Sequence, residues 1–266
     1  MTTNQPTDAQ ITEYITTPEA PRTGFIAGST FGVKQVQYSV IDGMAMVEGD
    51  IVIGTVEEME AMRQKVEAAL DGNIATAIGI VPKSFRWTDG IIPYQIEQAL
   101  PKKKRVTDAI AHWKLHTPIQ FVQRDANNAD KYPNYVVFQP GNECSSPVGM
   151  KGGKQTVTLG NNCNLGNTIH EIGHTVGLWH EQSREDRDKF VKIVWENISF
   201  GEEHNFNQHI SDGDDIGAYD YGSIMHYSGT AFSKNGKATI IALGGQKIGQ
   251  RKGLSKGDIA AVKAMY

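Results

Sequence analysis

Residues 1–24 are rich in Thr, Pro and Gln and carry no apolar period, which predicts an extended leader. From Val36 to Ile53 short apolar runs are broken at Asp42-Gly43 and Gly49-Asp50, the pattern of small strands and tight turns. Thr55 and Glu58 form a capping box ahead of apolar residues at Val56, Met59, Met62, Val66 and Leu70. That period predicts a helix of about four turns, ended at Asp71-Gly72. Asn73 to Lys83 are small and aperiodic and read as an exposed connection between two units.

The second unit begins near Trp87. Ile91–Ile96 reads as a strand and Arg105–His116 as a helix with Val106, Ile110 and Trp113 on one side. Ile119–Val122, Tyr135–Gln139 and Thr156–Leu159 are further strands, and a helix from about Asn167 to Val176 stops at Gly177. Beyond His180 the chain turns rich in Gly, Asp and Ser. It closes with a helix from about Lys256 to Met265, capped by Ser255 with Asp258 three residues on. Sheet and helices followed by an irregular half make an α+β pattern.

Composition excludes several classes. The 266 residues are 39% hydrophobic and 21% charged, as in ordinary globular domains. No window approaches 18 uninterrupted apolar residues, so no membrane span is expected. The first ten residues have neither a basic nor an apolar region, so no signal peptide is read in the sequence as given. A net charge of −4 without a long basic run argues against nucleic acid. The cluster Lys102–Arg105 reads as a solvated helix start. Charge divides unevenly, with 11 Asp+Glu against 4 Lys+Arg in residues 1–77 and 19 against 22 in residues 78–266. Cys144 and Cys163 enclose 18 residues. Free thiols and metal ligation are both open, but neither has Cys or His neighbours at ligand spacing, so a disulfide in an oxidising compartment is favoured.

The chemistry concentrates in H-E-I-G-H-T-V-G-L-W-H-E at 170–181. His170 and His174, four apart on a helix, project from one face and can reach one cation. Glu171 lies beside them as a base for a metal-bound water. Gly177 can take a left-handed conformation and turn the chain back so that His180 becomes a third ligand. Three imidazoles and one open position describe a catalytic Zn²⁺ site, one per chain. The bland reading, packing or surface, is kept for His112, His116, His204 and His209. The extended motif calls for a methionine turn. Tyr221-Gly-Ser-Ile-Met225-His-Tyr227 supplies it, with Met225 as an apolar floor and Tyr227 as a phenol able to ligate zinc or donate to an oxyanion.

These runs, with S-R-E-D-R-D at 183–188, W-x-x-G-x-I-P-Y at Trp87–Tyr94 and I-G-Q-R-K-G-L-S at Ile248–Ser255, resemble the astacin family of metzincin zinc endopeptidases. The resemblance implies a two-subdomain fold: a twisted, mostly parallel sheet with helices, then an irregular half ending in a helix. It implies that Tyr227 is a further zinc ligand that moves to stabilise the tetrahedral intermediate. Glu181 would pair with the new N-terminus after activation, and Arg251 and Lys252 would line the pocket after the scissile bond. Family members usually carry four cysteines. Thr117-Pro118-Ile119-Gln120-Phe121 lacks one where the family has T-C-I-x-F, so a bridge between the two halves is absent.

The family's inhibitory motif, F-x-G-D, resembles Val47-Glu48-Gly49-Asp50 with Val for Phe. It implies that Asp50 fills the open zinc position in a latent form, although Gly49-Asp50 also suits a plain hairpin turn. Residues 1–77 are then an inhibitory pro-segment and 78–266 the peptidase, secreted, acting on proteins or peptides and activated by another protease near Ala75–Ile78. A catalytically silent, metal-stabilised binding or adhesion module is the alternative.

Overall fold

In the computed structural model the described residues are 17, 19–27, 33–70, 85–209 and 215–266. The first unit is an antiparallel meander of β1 (Arg22–Ala27), β2 (Val33–Ile41), β3 (Met44–Val47) and β4 (Ile51–Thr55), in that order. Helix α1 (Val56–Leu70) packs against it. Two turns give the meander its register. Asp42 and Gly43 both take positive φ, the two-residue type that matches strand twist. Glu48 and Gly49 do the same at the next corner, where Val47 pairs with Ile51 and the loop spans Glu48, Gly49 and Asp50. The capping box expected at α1 is present, with Glu58 N–H donating to Thr55 Oγ1 (3.1 Å) and Thr55 N–H to Glu58 Oε2 (2.9 Å). Tyr38, Ala45 and Met59 form a small apolar core of this unit's own. The leader is described only in part, and it is already β1 by Arg22. The connection at Asn73–Lys83 and the end of α1 at Asp71-Gly72 lie outside the described residues.

The second unit carries a five-stranded sheet made of β5 (Ile91–Ile96), β6 (Gln120–Gln123), β7 (Tyr135–Gln139), β8 (Cys144–Ser145) and β9 (Lys154–Leu159), in the order β6-β5-β7-β9-β8. Every pairing is parallel except β8 with β9. Helices α2 (Lys104–His116) and α3 (Leu165–Val176) pack on each other, and their apolar faces meet the sheet in one large core around Trp113, Ile119, Val136, Val157, Ile169 and Ile172. Arg105 departs from the expected solvated cluster. It is buried and donates to the carbonyls of Leu159 (3.0 Å), Gly160 (2.7 Å) and Cys163, holding the turn before α3. A disulfide joins Cys144 to Cys163 and ties β8 to that same turn.

The irregular half has a two-stranded sheet, β10 (Val191–Ile193) with β11 (Ile240–Ala242), a second core around Phe206, Tyr227 and Phe232, and the closing helix α4 (Lys256–Met265). Tyr266 ties the two halves of this unit together. Its hydroxyl donates to Val176 O (2.8 Å) and accepts from Trp87 N–H (3.2 Å), linking the end of α4 to α3 and to the start of the domain.

Candidate metal centre

Helix α3 begins with a capping box between Asn164 and Asn167 and is buried along almost its whole length. It presents His170 and His174 on one side. Gly177 sits at φ 121°, and its N–H and that of Leu178 bond back to Gly173 O (3.1 and 3.0 Å), so the helix stops there. The returning chain places Leu178 O 2.8 Å from His174 Nδ1 and carries His180 to the same point in space. Gly173 is glycine for a packing reason. A Cβ there would lie 2.6 Å from Met225 Sδ, so the methionine turn seats directly beneath the helix between the two ligands. That turn is fixed by Asp258, whose carboxylate accepts from Ser223 Oγ (2.6 Å) and Ile224 N–H (3.0 Å) while also capping α4.

The three Nε2 atoms converge. His170 Nε2 lies 3.2 Å from both His174 Nε2 and His180 Nε2, and Asp50 Oδ2 lies 3.1 Å from His170 Nε2 and 3.3 Å from His180 Nε2. Among the described residues these four form the one group able to hold a metal ion. The spacing is that of a coordination shell, because a tetrahedral ion with bonds of about 2.05 Å separates its ligand atoms by about 3.3 Å. The protonation pattern agrees. His170 Nδ1–H donates to Ile224 O (2.8 Å) and His174 Nδ1–H to Leu178 O, so both rings are neutral with their Nε2 lone pairs facing inward. Burial, with Arg251 nearby, pushes His170 down to about 3, and burial lowers His174. Lone pairs facing a carboxylate repel unless a cation lies between them. Against the cost of burial, Asp50 and Glu48 lift His180 to about 9. Asp50 Oδ1 is buried without a hydrogen bond. Three neutral imidazoles and one carboxylate oxygen fit Zn²⁺.

Asp50 reaches this point because its hairpin lies in the cleft beside β8. Ser146 N–H donates to Asp50 O (2.9 Å) and Val52 N–H to Ser146 O (3.1 Å), a parallel pairing. Glu48 and Asp50 are both almost wholly buried. The Glu48 carboxylate accepts from His180 Nδ1–H (2.6 Å) and from His209 Nε2 (2.5 Å). Burial alone would raise its pKa, but the charge on His209 and both hydrogen bonds hold it below the usual carboxylate range. The Tyr227 hydroxyl donates to Glu48 O (2.5 Å).

Residues 80–266 match the sequence profile of the Astacin peptidase family. The chain belongs to the astacin family. Zinc metalloproteinase nas-13 of Caenorhabditis elegans is 41% identical over 188 residues, covering 68% of this chain and 41% of that protein. Zinc metalloproteinase nas-4 of the same organism is 33% identical over 230 residues, covering 83% of this chain and 71% of that protein. That coverage exceeds residues 80–266, so the match to nas-4 extends into the first unit. This chain spans less than half the length of nas-13. Among solved structures, high choriolytic enzyme 1 of medaka, a hatching-enzyme zinc protease, gives a TM-score of 0.61 at 33% identity, covering 68% of this chain and 92% of that one. Myroilysin, at a TM-score of 0.50 and 21% identity, covers 69% of this chain and 96% of its own, a likeness of fold. The astacin-family domain is a zinc metallopeptidase domain of α+β, metzincin type, and no described helix is long and apolar enough to cross a membrane.

The structure brings together Asp50, His170, His174, His180, Met225 and Tyr227, with Glu171 buried on α3 beside the ligands. Glu181 accepts from Asp220 N–H (2.7 Å), and burial lifts its pKa to about 7. Arg251 is directed at the methionine turn, donating to Ile224 O (2.8 Å) and His226 O (3.0 Å), while Lys252 is exposed. Sequence reasoning missed Glu48, treated His209 as packing or surface, and saw Asp258 only as a cap. The detectable signal was Glu48 itself, an acid next to Gly-Asp in a hairpin corner.

Proposed function

We propose that the chain is a latent zinc endopeptidase in which residues 1–77 are an inhibitory pro-segment and residues 78–266 the peptidase. The observation that supports this best is the Asp50 carboxylate lying among the three Nε2 atoms, where a catalytic site keeps its open position. The hairpin turn at Gly49-Asp50 and the latch are therefore the same structure. Gly49 at φ 74° lets the corner descend into the cleft. His170, His174 and His180 would hold Zn²⁺, which would supply an acidified water and polarise a carbonyl. Glu171 takes the proton of the attacking water and returns it to the leaving amine. Tyr227 donates to the developing oxyanion, and in the latent form that hydroxyl is engaged by Glu48 O.

A substrate peptide would pair with the outer edge of β8, the edge that the pro-segment occupies through Ser146. Release of the pro-segment by an activating protease near Ala75–Ile78 would free an amine for Glu181, whose burial favours a cationic partner. The disulfide and the family suit a secreted protein. Arg251 and Lys252 favour an acidic residue after the scissile bond, and replacing both with neutral residues should weaken that preference.

The test is peptidase activity on a denatured protein before and after limited proteolysis, with and without a chelator, beside N-terminal sequencing. Chelator-sensitive activity that emerges as the chain is cut near Ala75–Ile78 supports the reading. Full activity of the intact chain removes the latch. No activity in any zinc-loaded form favours the binding module.

A further inference from the structure

The outer nitrogens of the three zinc-ligand histidines are not supported alike. The acceptors for His170 and His174 are backbone carbonyls of the catalytic domain, Ile224 O and Leu178 O, each at 2.8 Å. Both carbonyls belong to turns built into the domain, the methionine turn and the end of α3. The acceptor for His180 Nδ1 is different. Among the described residues it is the Glu48 carboxylate, at 2.6 Å and 132 residues away, on the hairpin that would leave on activation.

Glu48 is held for this task by His209 and Tyr227. Its Oε1 bonds His209 Nε2 (2.5 Å), and the His209 ring packs 4.0 Å from the Trp179 ring, centroid to centroid. His209 is positioned by its own N–H on Ser183 O (2.7 Å), and the Glu48 backbone carbonyl accepts from Tyr227. A carboxylate on the far nitrogen of a ligating imidazole fixes the ring's tautomer and orientation and raises its basicity, more strongly than a neutral carbonyl does.

We infer that Glu48 is a positioning residue of the metal centre, so that the pro-segment both blocks the zinc and strengthens its binding, and activation leaves a more weakly held metal. The inference rests on the pro-segment reading above and concerns a different residue and a different bond from the Asp50 latch. It implies that the metal is loaded in the latent state, where His180 is fully oriented.

The experiment uses the full chain in a Glu171→Ala background, so that no self-cleavage intervenes, and measures Zn²⁺ affinity by competition with a chromogenic chelator. Glu48→Ala should weaken Zn²⁺ binding by about 10–100-fold, the usual loss when such a partner is removed. Glu48→Gln keeps a neutral acceptor for His180 and should lose several-fold, ranking between the two. The absorption bands of the Co²⁺-loaded chain should shift in Glu48→Ala, because the His180 ring is no longer fixed. Asp50→Asn separates the two ideas. Affinity reduced by Asp50→Asn but unchanged by both Glu48 variants overturns the inference and leaves the latch in place. Affinity reduced by the Glu48 variants and untouched by Asp50→Asn supports the inference and removes Asp50 as a ligand. If Glu48→Ala fails to fold, Glu48→Gln decides, and parental affinity there contradicts the inference.

Discussion

Asp50 Oδ2 lies 3.1 Å from Nε2 of His170, although 120 residues separate them in the chain. Neither group is exposed to solvent by more than a few per cent. A buried carboxylate facing the lone pair of a neutral imidazole is costly unless a cation lies between them, so this contact joins the hairpin to the metal centre.

Glu171→Ala should retain zinc, because its three histidines and their outer acceptors are untouched. After proteolytic activation it should lose about 10²–10⁴-fold in kcat, the range for a general base. Metal content with turnover on one preparation checks both halves. A variant that cleaves normally would contradict the role of Glu171.

Tyr227→Phe should lower kcat of the activated enzyme by about 10²–10³-fold while leaving KM nearly unchanged, as expected of a donor used in the transition state. In the intact chain the same change deletes the hydrogen bond to Glu48 O, so the pro-segment should come off more easily. Sensitivity of the parent and variant to limited proteolysis measures the second effect.

Replacing Cys144 and Cys163 together by Ser should cost about 3 kcal/mol, since the bridge closes a short loop. Urea unfolding under identical conditions gives the difference. Chelator-treated samples should show the same loss, because the bridge acts on the chain and not on the metal.

Glu143 gives a pH dependence. Burial first, then the nearby Asp42 carboxylate, raise its pKa above the usual value, and its Oε1 faces Ser145 Oγ at 3.5 Å. The folded chain therefore keeps a proton that the unfolded chain releases above about pH 4.3. Stability from this group falls as pH rises from there until Glu143 ionises in the fold as well. Glu143→Gln should flatten that part of a plot of Tm against pH. Parallel curves for the two proteins would contradict it.

Much of this was legible in the sequence, for physical reasons that can be named. Helix α4 was legible because Ser255 and Asp258 mark its start. The ligand set was readable because i, i+4 spacing and Gly177 fix three imidazoles by backbone geometry alone. Strands β8, β10 and β11 were not, since two- and three-residue strands carry no period and owe their pairing to distant partners. Arg105 was misread for a related reason. Its neighbours Lys102 to Lys104 are exposed, and only the fold brings three carbonyls to its guanidinium. Glu48 and His209 meet across 161 residues, beyond the reach of any local pattern.

The most direct measurement is turnover of a quenched peptide by the intact chain carrying Asp50→Asn, compared with the intact parent, with chain length verified before and after the assay. If Asp50 blocks the metal, the variant should cleave without being cut and the parent should not, and a chelator should abolish the difference. Equal inactivity of two intact, zinc-loaded chains would contradict the role proposed for Asp50.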